Sequence, residues 1–201
     1  MNNTSKFFAE LGVNVSESIL DSLVGNELLK SFPVTRTAVS LAEAGCSLRD
    51  GLFIAKIKGF LEVVEPVEPK EFKRIAERLA TEKGRKKVGE TLVFVLESAD
   101  SLDKAKLLGK IFKGFIDSKI TKKDLLRLWH CVDKVFLEDL NELKAFDTPT
   151  IGKETIGFSL LNAGLVVSAG IDGGTFMDKT SYEGGTIFRL SETGKQLLNF
   201  I

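Results

Sequence analysis

Asp117, Ser118, Ile120 and Asp124, in the stretch FIDSKITKKDLL, have the types and spacing of the back half of a calcium loop. Such a loop supplies about six to eight oxygens, with a bidentate carboxylate at its last position. If Asp124 is that closing ligand, Asp117 supplies a mid-loop oxygen and Ser118 stands where glycine makes the sharp bend. The first two ligand positions then fall on Lys113 and Phe115, which cannot donate carboxylates. Half of the charge is missing and a cation holds the first place, so no metal is expected. A turn between two helices explains the same residues. Thr121 can accept from the Asp124 backbone while the Asp124 carboxylate reaches back to Thr121, a capping box. A cap of this kind contributes about 1 kcal/mol, and Ile120 can pack onto the helix just begun.

Three further groups could carry chemistry. In VVSAGIDGGTF (Val166 to Phe176) an apolar strand runs into Asp172-Gly173-Gly174-Thr175. That arrangement resembles the phosphate-binding turn of actin-like ATPases and sugar kinases, where backbone amides cradle phosphate. In that family the turn opens a large α/β domain, whereas few residues follow Phe176 here. The expectation is a hairpin turned by Asp172-Gly173. His130 and Cys131 adjoin on an amphipathic helix, where consecutive side chains point about 100° apart, a poor base–nucleophile geometry. No GxSxG elbow, Walker loop or HExxH occurs. Neither an enzyme nor a bound cofactor is expected. Lys83, Arg85, Lys86 and Lys87 form one basic cluster between Glu82 and Glu90, read as a solvated helix junction that could also meet a phosphate or an acidic partner.

Bulk properties narrow the partners. Lys plus Arg equals Asp plus Glu, 28 each, so no whole-protein field draws the chain to nucleic acid or anionic membrane. With 43% hydrophobic and 28% charged residues the composition is that of a globular protein. Cys46 and Cys131 stand outside any zinc spacing and read as buried reduced thiols. No apolar run reaches the roughly 18 residues of a spanning helix, and no signal peptide is evident, so a cytoplasmic location is expected. Apolar residues at helical spacing near the N-terminus, from Phe7 to Leu23, and the apolar region 32–64 leave a membrane-surface role open.

The elements that must position these groups are mostly helical. LRDGLFIAKIKGFLEVV is apolar around most of its circumference and reads as a central helix capped by Ser47. TLVFVL is β-branched, but its amphipathic approach favours a helix. Asp100 or Ser101 caps a helix whose stripe is Leu102, Ala105, Leu108, Ile111, Phe112, Phe115 and Ile116. From Thr121 one helix is expected to continue through Leu125, Leu128, Trp129, Val132, Phe136 and Leu140. After Pro149 the character changes to glycine-rich, with apolar β-branched runs and a short closing helix capped by Ser191, whose Leu197, Leu198 and Ile201 face inward.

Two families are suggested by these residues. Leu161, Gly164, Leu165 and Val166, followed by Phe188, Leu190, Ser191, Thr193, Gly194, Leu197 and Leu198, resemble the end of a winged-helix domain. That resemblance implies a helix over about 153–162, a β-hairpin wing and a closing helix. The turn from Leu107 to Leu128 resembles the helical TerB-type modules. The acidic metal-binding residues of that family have no counterpart here, and no metal is carried over. The whole chain resembles bacterial and prophage-type proteins that pair a SLRDGLFIAKIKGFL-like helix with such a tail, which implies no activity. The reading is therefore a mainly α protein: a helical domain over 1–148 and a winged-helix-like α+β domain over 149–201.

For function, the expectation is a non-enzymatic binding or regulatory protein acting through contact with another protein or with itself. A DNA-binding regulator is the first alternative and a peripheral membrane-surface protein the second. The implied recognition helix carries one Lys and one Glu, and the wing sets Lys179 and Arg189 against Asp172, Asp178 and Glu183. Phosphate contacts dominate nucleic-acid affinity, so this balance disfavours DNA. Lys179, Arg189 and Lys195 would carry such binding if it occurred.

Overall fold

The computed structural model describes residues 48–64, 82–174 and 184–201. Its elements in chain order are α1 (Leu48–Val64), α2 (Glu82–Ser98), α3 (Leu102–Ile116), α4 (Lys122–Asp133), α5 (Leu137–Asn141), a 3-10 turn (Leu143–Phe146), α6 (Glu154–Asn162), β1 (Val166–Asp172), β2 (Gly185–Leu190) and α7 (Glu192–Leu197). The protein is mainly α, with a small antiparallel hairpin near the C-terminus. No helix among the described residues is long and apolar enough to cross a membrane. The chain divides into two compact units, Met1–Lys122 and Lys123–Ile201. Residue 148, where the sequence suggests a boundary, lies within the second unit.

In the first unit, α1 packs chiefly on α3. The helices approach closely at Gly109, where a Cβ would sit 2.7 Å from the Phe60 carbonyl oxygen and 3.2 Å from the Val63 side chain. Phe60 and Phe112 stack nearby with ring centroids 5.6 Å apart. The α1 helix buries Ile54, Ala55, Ile57, Phe60, Leu61 and Val64, together with Gly51 and Gly59, around most of its circumference, and leaves Leu52 and Glu62 exposed on a narrow remaining strip. Its expected cap, Ser47, lies outside the described residues. TLVFVL is helical: Val88, Leu92, Val95, Leu96 and Ala99 recur at helical spacing and are buried, and burial of that face overrides β-branched propensity. Lys56 Nζ donates to the Glu97 carbonyl at 2.9 Å and ties α1 to the end of α2.

Ser101, and not Asp100, caps α3: its hydroxyl accepts from the Lys104 N–H at 3.2 Å. Asp100 pairs instead with the Lys104 ammonium at 2.9 Å. Lys104 is buried, and Leu102, expected on the inner stripe, is exposed. The stripe begins at Ala105.

In the second unit the helix expected to run from Thr121 past Leu140 is broken. It ends at Asp133, Phe136 adopts extended geometry (φ −64°, ψ 146°), and α5 begins at Leu137. Glu138 and Asp139 in the first turn suit the positive end of a new helix. Phe136 is consequently exposed, while Leu125, Leu128, Trp129, Val132 and Leu140 are buried as expected.

The hairpin pairs Val166 with Leu190, Val167 with Arg189, Ser168 with Phe188 and, after a bulge at Ala169, Ile171 with Thr186 and Asp172 with Gly185. A one-residue bridge adds Thr150 beside Phe188, with N–H···O distances of 2.9 and 3.0 Å. The core of this unit gathers on Phe188. Its ring meets Phe158 and Phe146 edge-on, at 5.1 and 6.3 Å, and lies against Gly157 so closely that a Cβ there would overlap it. Each aromatic pair contributes about 0.5 to 1.5 kcal/mol beyond buried area. Leu197 of α7 is fully buried, Leu198 is half-buried and Ile201 is exposed, so the closing helix turns inward less of its surface than its sequence suggests.

Candidate functional site

The turn at 117–120 is the end of a helix. Asp117 N–H donates to Lys113 O at 2.8 Å, Ser118 N–H to Phe115 O at 3.1 Å and Lys119 N–H to Gly114 O at 2.9 Å. These last two bonds form a Schellman motif around Ser118, which adopts φ 63°. The bend that glycine provides in a calcium loop is therefore present, but it serves to satisfy helix carbonyls. The Asp117 carboxylate faces Lys119 at 3.3 Å. Thr121 stands directly before α4 and Asp124 lies in its first turn, the two places a capping box assigns. Among the described residues no group of three or more His, Cys, Asp or Glu side chains is placed to hold a metal ion.

Asp172-Gly173-Gly174 does not reverse the chain, contrary to the hairpin-turn expectation. β1 runs on to Asp172, which pairs with Gly185, so the connection is longer than a two-residue turn. The Asp172 carboxylate accepts from the Gly174 N–H at 2.8 Å, and Gly174 takes φ 70°. Gly184 crosses this turn so closely that a Cβ would overlap the Asp172 carbonyl oxygen. Backbone amides here close a local turn, in the manner of an Asx-turn.

His130 is exposed and Cys131 is buried, which separates the two side chains that adjoin in sequence. Burial pushes the Cys131 thiol above its ordinary range, partly offset by the positive charges of Arg127 and Lys134.

The basic candidates fall into two groups in different units. Residues 83–87 lie in the first turns of α2, with Gly84 inside the helix, and Lys87 is exposed. Lys179 lies outside the described residues. Arg189 is exposed on β2, and Lys195 donates to the Glu192 carboxylate at 2.8 Å. That hydrogen bond, then the Lys195 and Arg189 charges, hold Glu192 below the usual carboxylate range. Of the two, only Lys195 is paired with Glu192.

The surface built by α6 and the hairpin contains residues that the sequence does not single out. Phe158 on α6 is 44% exposed, Val167 37% and Ile171 81%. Period-2 alternation would put Val167 and Ile171 on one sheet face. The bulge at Ala169 moves Ile171 to the face of Thr186 and Phe188, leaving Val167 on that of Arg189. Around this surface α6 is tethered three ways. Lys153, its N-cap residue, pairs with Glu142; Ser159 donates to Asp139; and Glu154 accepts from the Thr186 N–H at 3.0 Å. An i-to-i+20 pairing such as Asp139 with Ser159 has no local signal in a sequence.

At the junction of α6 with the strand, Gly164 (φ 76°) closes a second Schellman motif, with Gly164 N–H on Leu161 O and Leu165 N–H on Leu160 O, both 2.9 Å. Ser191 joins the two ends of the hairpin: its hydroxyl donates to Gly164 O at 2.7 Å and accepts from Gly194 N–H at 3.0 Å.

No protein-family model, no curated protein and no solved structure matches the chain. The winged-helix and TerB-type resemblances rest on the residues that carry them.

Proposed function

We propose that the chain is a non-catalytic binding protein whose second unit makes a protein contact through α6 and the hairpin, in the manner of a winged helix used for protein recognition. The observation that carries this reading is the character of that surface. It exposes Phe158 and Ile171, while two of its cations are paired with acids: Lys153 with Glu142 and Lys195 with Glu192. A reader of DNA neutralises phosphates with uncommitted Lys and Arg, and each such contact steepens the salt dependence of binding. An exposed aromatic and an exposed aliphatic side chain on a scaffold held by polar tethers suit a partner's apolar side chains instead. The order helix, Gly164 turn, β1, β2, Ser191 cap, α7 is the order that the winged-helix pattern implies, with Thr150 bridged to Phe188 beside β2.

Fluorescence anisotropy of labelled duplex DNA, titrated with the full chain at low and at physiological salt, separates this reading from the DNA-binding one. The expected result is no saturable binding at micromolar protein. Tight low-salt binding that collapses as salt rises and disappears in a Lys179→Ala, Arg189→Ala, Lys195→Ala triple variant would establish the DNA reading in its place.

A further inference from the structure

We draw no further inference here: the strongest candidate, the exposed apolar strand β1 with Val167 and Ile171 on either side of its bulge, belongs to the surface already described, and nothing in the structure shows what covers it.

Discussion

Ser118 and Gly164 hold the same backbone position at the ends of two different helices. Each is the left-handed residue of a Schellman motif, at φ 63° and 76°, and each is followed by a residue whose N–H reaches back five positions. Glycine takes this conformation without a Cβ penalty, whereas an L side chain there costs about 1 to 2 kcal/mol. Part of that is recovered as lower entropy in the unfolded chain. Ser118→Gly is expected to stabilise the first unit by about 0.5 to 1 kcal/mol, and Gly164→Ala to destabilise the second by about 1 kcal/mol. Urea unfolding followed by far-UV circular dichroism checks both. A fall in the midpoint for Ser118→Gly would contradict the assignment of the turn.

The Ser191 hydroxyl bonds to both Gly164 and Gly194, so its removal should loosen the junction of α6, the hairpin and α7 together. Ser191→Ala is expected to cost about 1 to 2 kcal/mol, with Ser191→Thr restoring most of it. Gly194→Ala should cost at least about 2 kcal/mol, because the new methyl overlaps the Leu165 carbonyl oxygen and meets Leu190. Gly173→Ala, with open space around it, is the matched control and should be near neutral. Thermal unfolding of the three alanine variants side by side gives the ranking.

These junctions also show what the sequence can disclose. Gly164 and Ser191 were legible because their chemistry is local: a glycine after an apolar helix, and a serine three residues before the N–H it caps. The same holds for α1, α2 and α3, whose apolar residues recur at helical spacing. The break at Phe136 was not legible, since Val135 and Phe136 continue an apolar pattern and the signal for a new helix is carried by Glu138 and Asp139 beyond it. The direction of Ile171 depends on a one-residue bulge, which moves every later side chain to the other face. Ser159 with Asp139 and Lys153 with Glu142 are products of the tertiary fold, so the rigid setting of the candidate surface appears in the structure alone.

Lys104 is buried at the start of α3 with the half-exposed Asp100 as its ion-pair partner. Removing the acid leaves a buried ammonium without its counter-charge, whereas replacing the lysine with an apolar side chain of similar length removes the need for one. Asp100→Asn is expected to destabilise by about 1 to 3 kcal/mol, and Lys104→Met to be neutral or stabilising. The comparison is made by denaturant midpoints at neutral pH. Equal losses in both variants would mean that the pair itself contributes net stability.

Burial raises the Cys131 thiol above its ordinary range, so the thiolate is disfavoured in the folded protein. The unfolded chain loses this proton first as pH rises, so the contribution is complete below the unfolded value and is lost as pH climbs through the folded one. In a Cys46→Ser background, Cys131 should react with a thiol reagent far more slowly in the folded protein than in urea. The loss of stability between neutral and alkaline pH should be smaller in Cys131→Val than in its parent. Fast labelling of the folded chain would show the thiol to be accessible.

The central claim is that the α6–hairpin surface is recognised through its apolar side chains. Affinity capture from cells that naturally produce the chain, quantified by mass spectrometry, tests it with two matched variants. The account predicts one specific protein retained equally by the wild-type chain and by the Arg189→Ala, Lys195→Ala double variant, and lost when Phe158 and Ile171 are both changed to Asp in a chain that still melts cooperatively. Retention by the aspartate variant, or loss in the alanine variant alone, would contradict it.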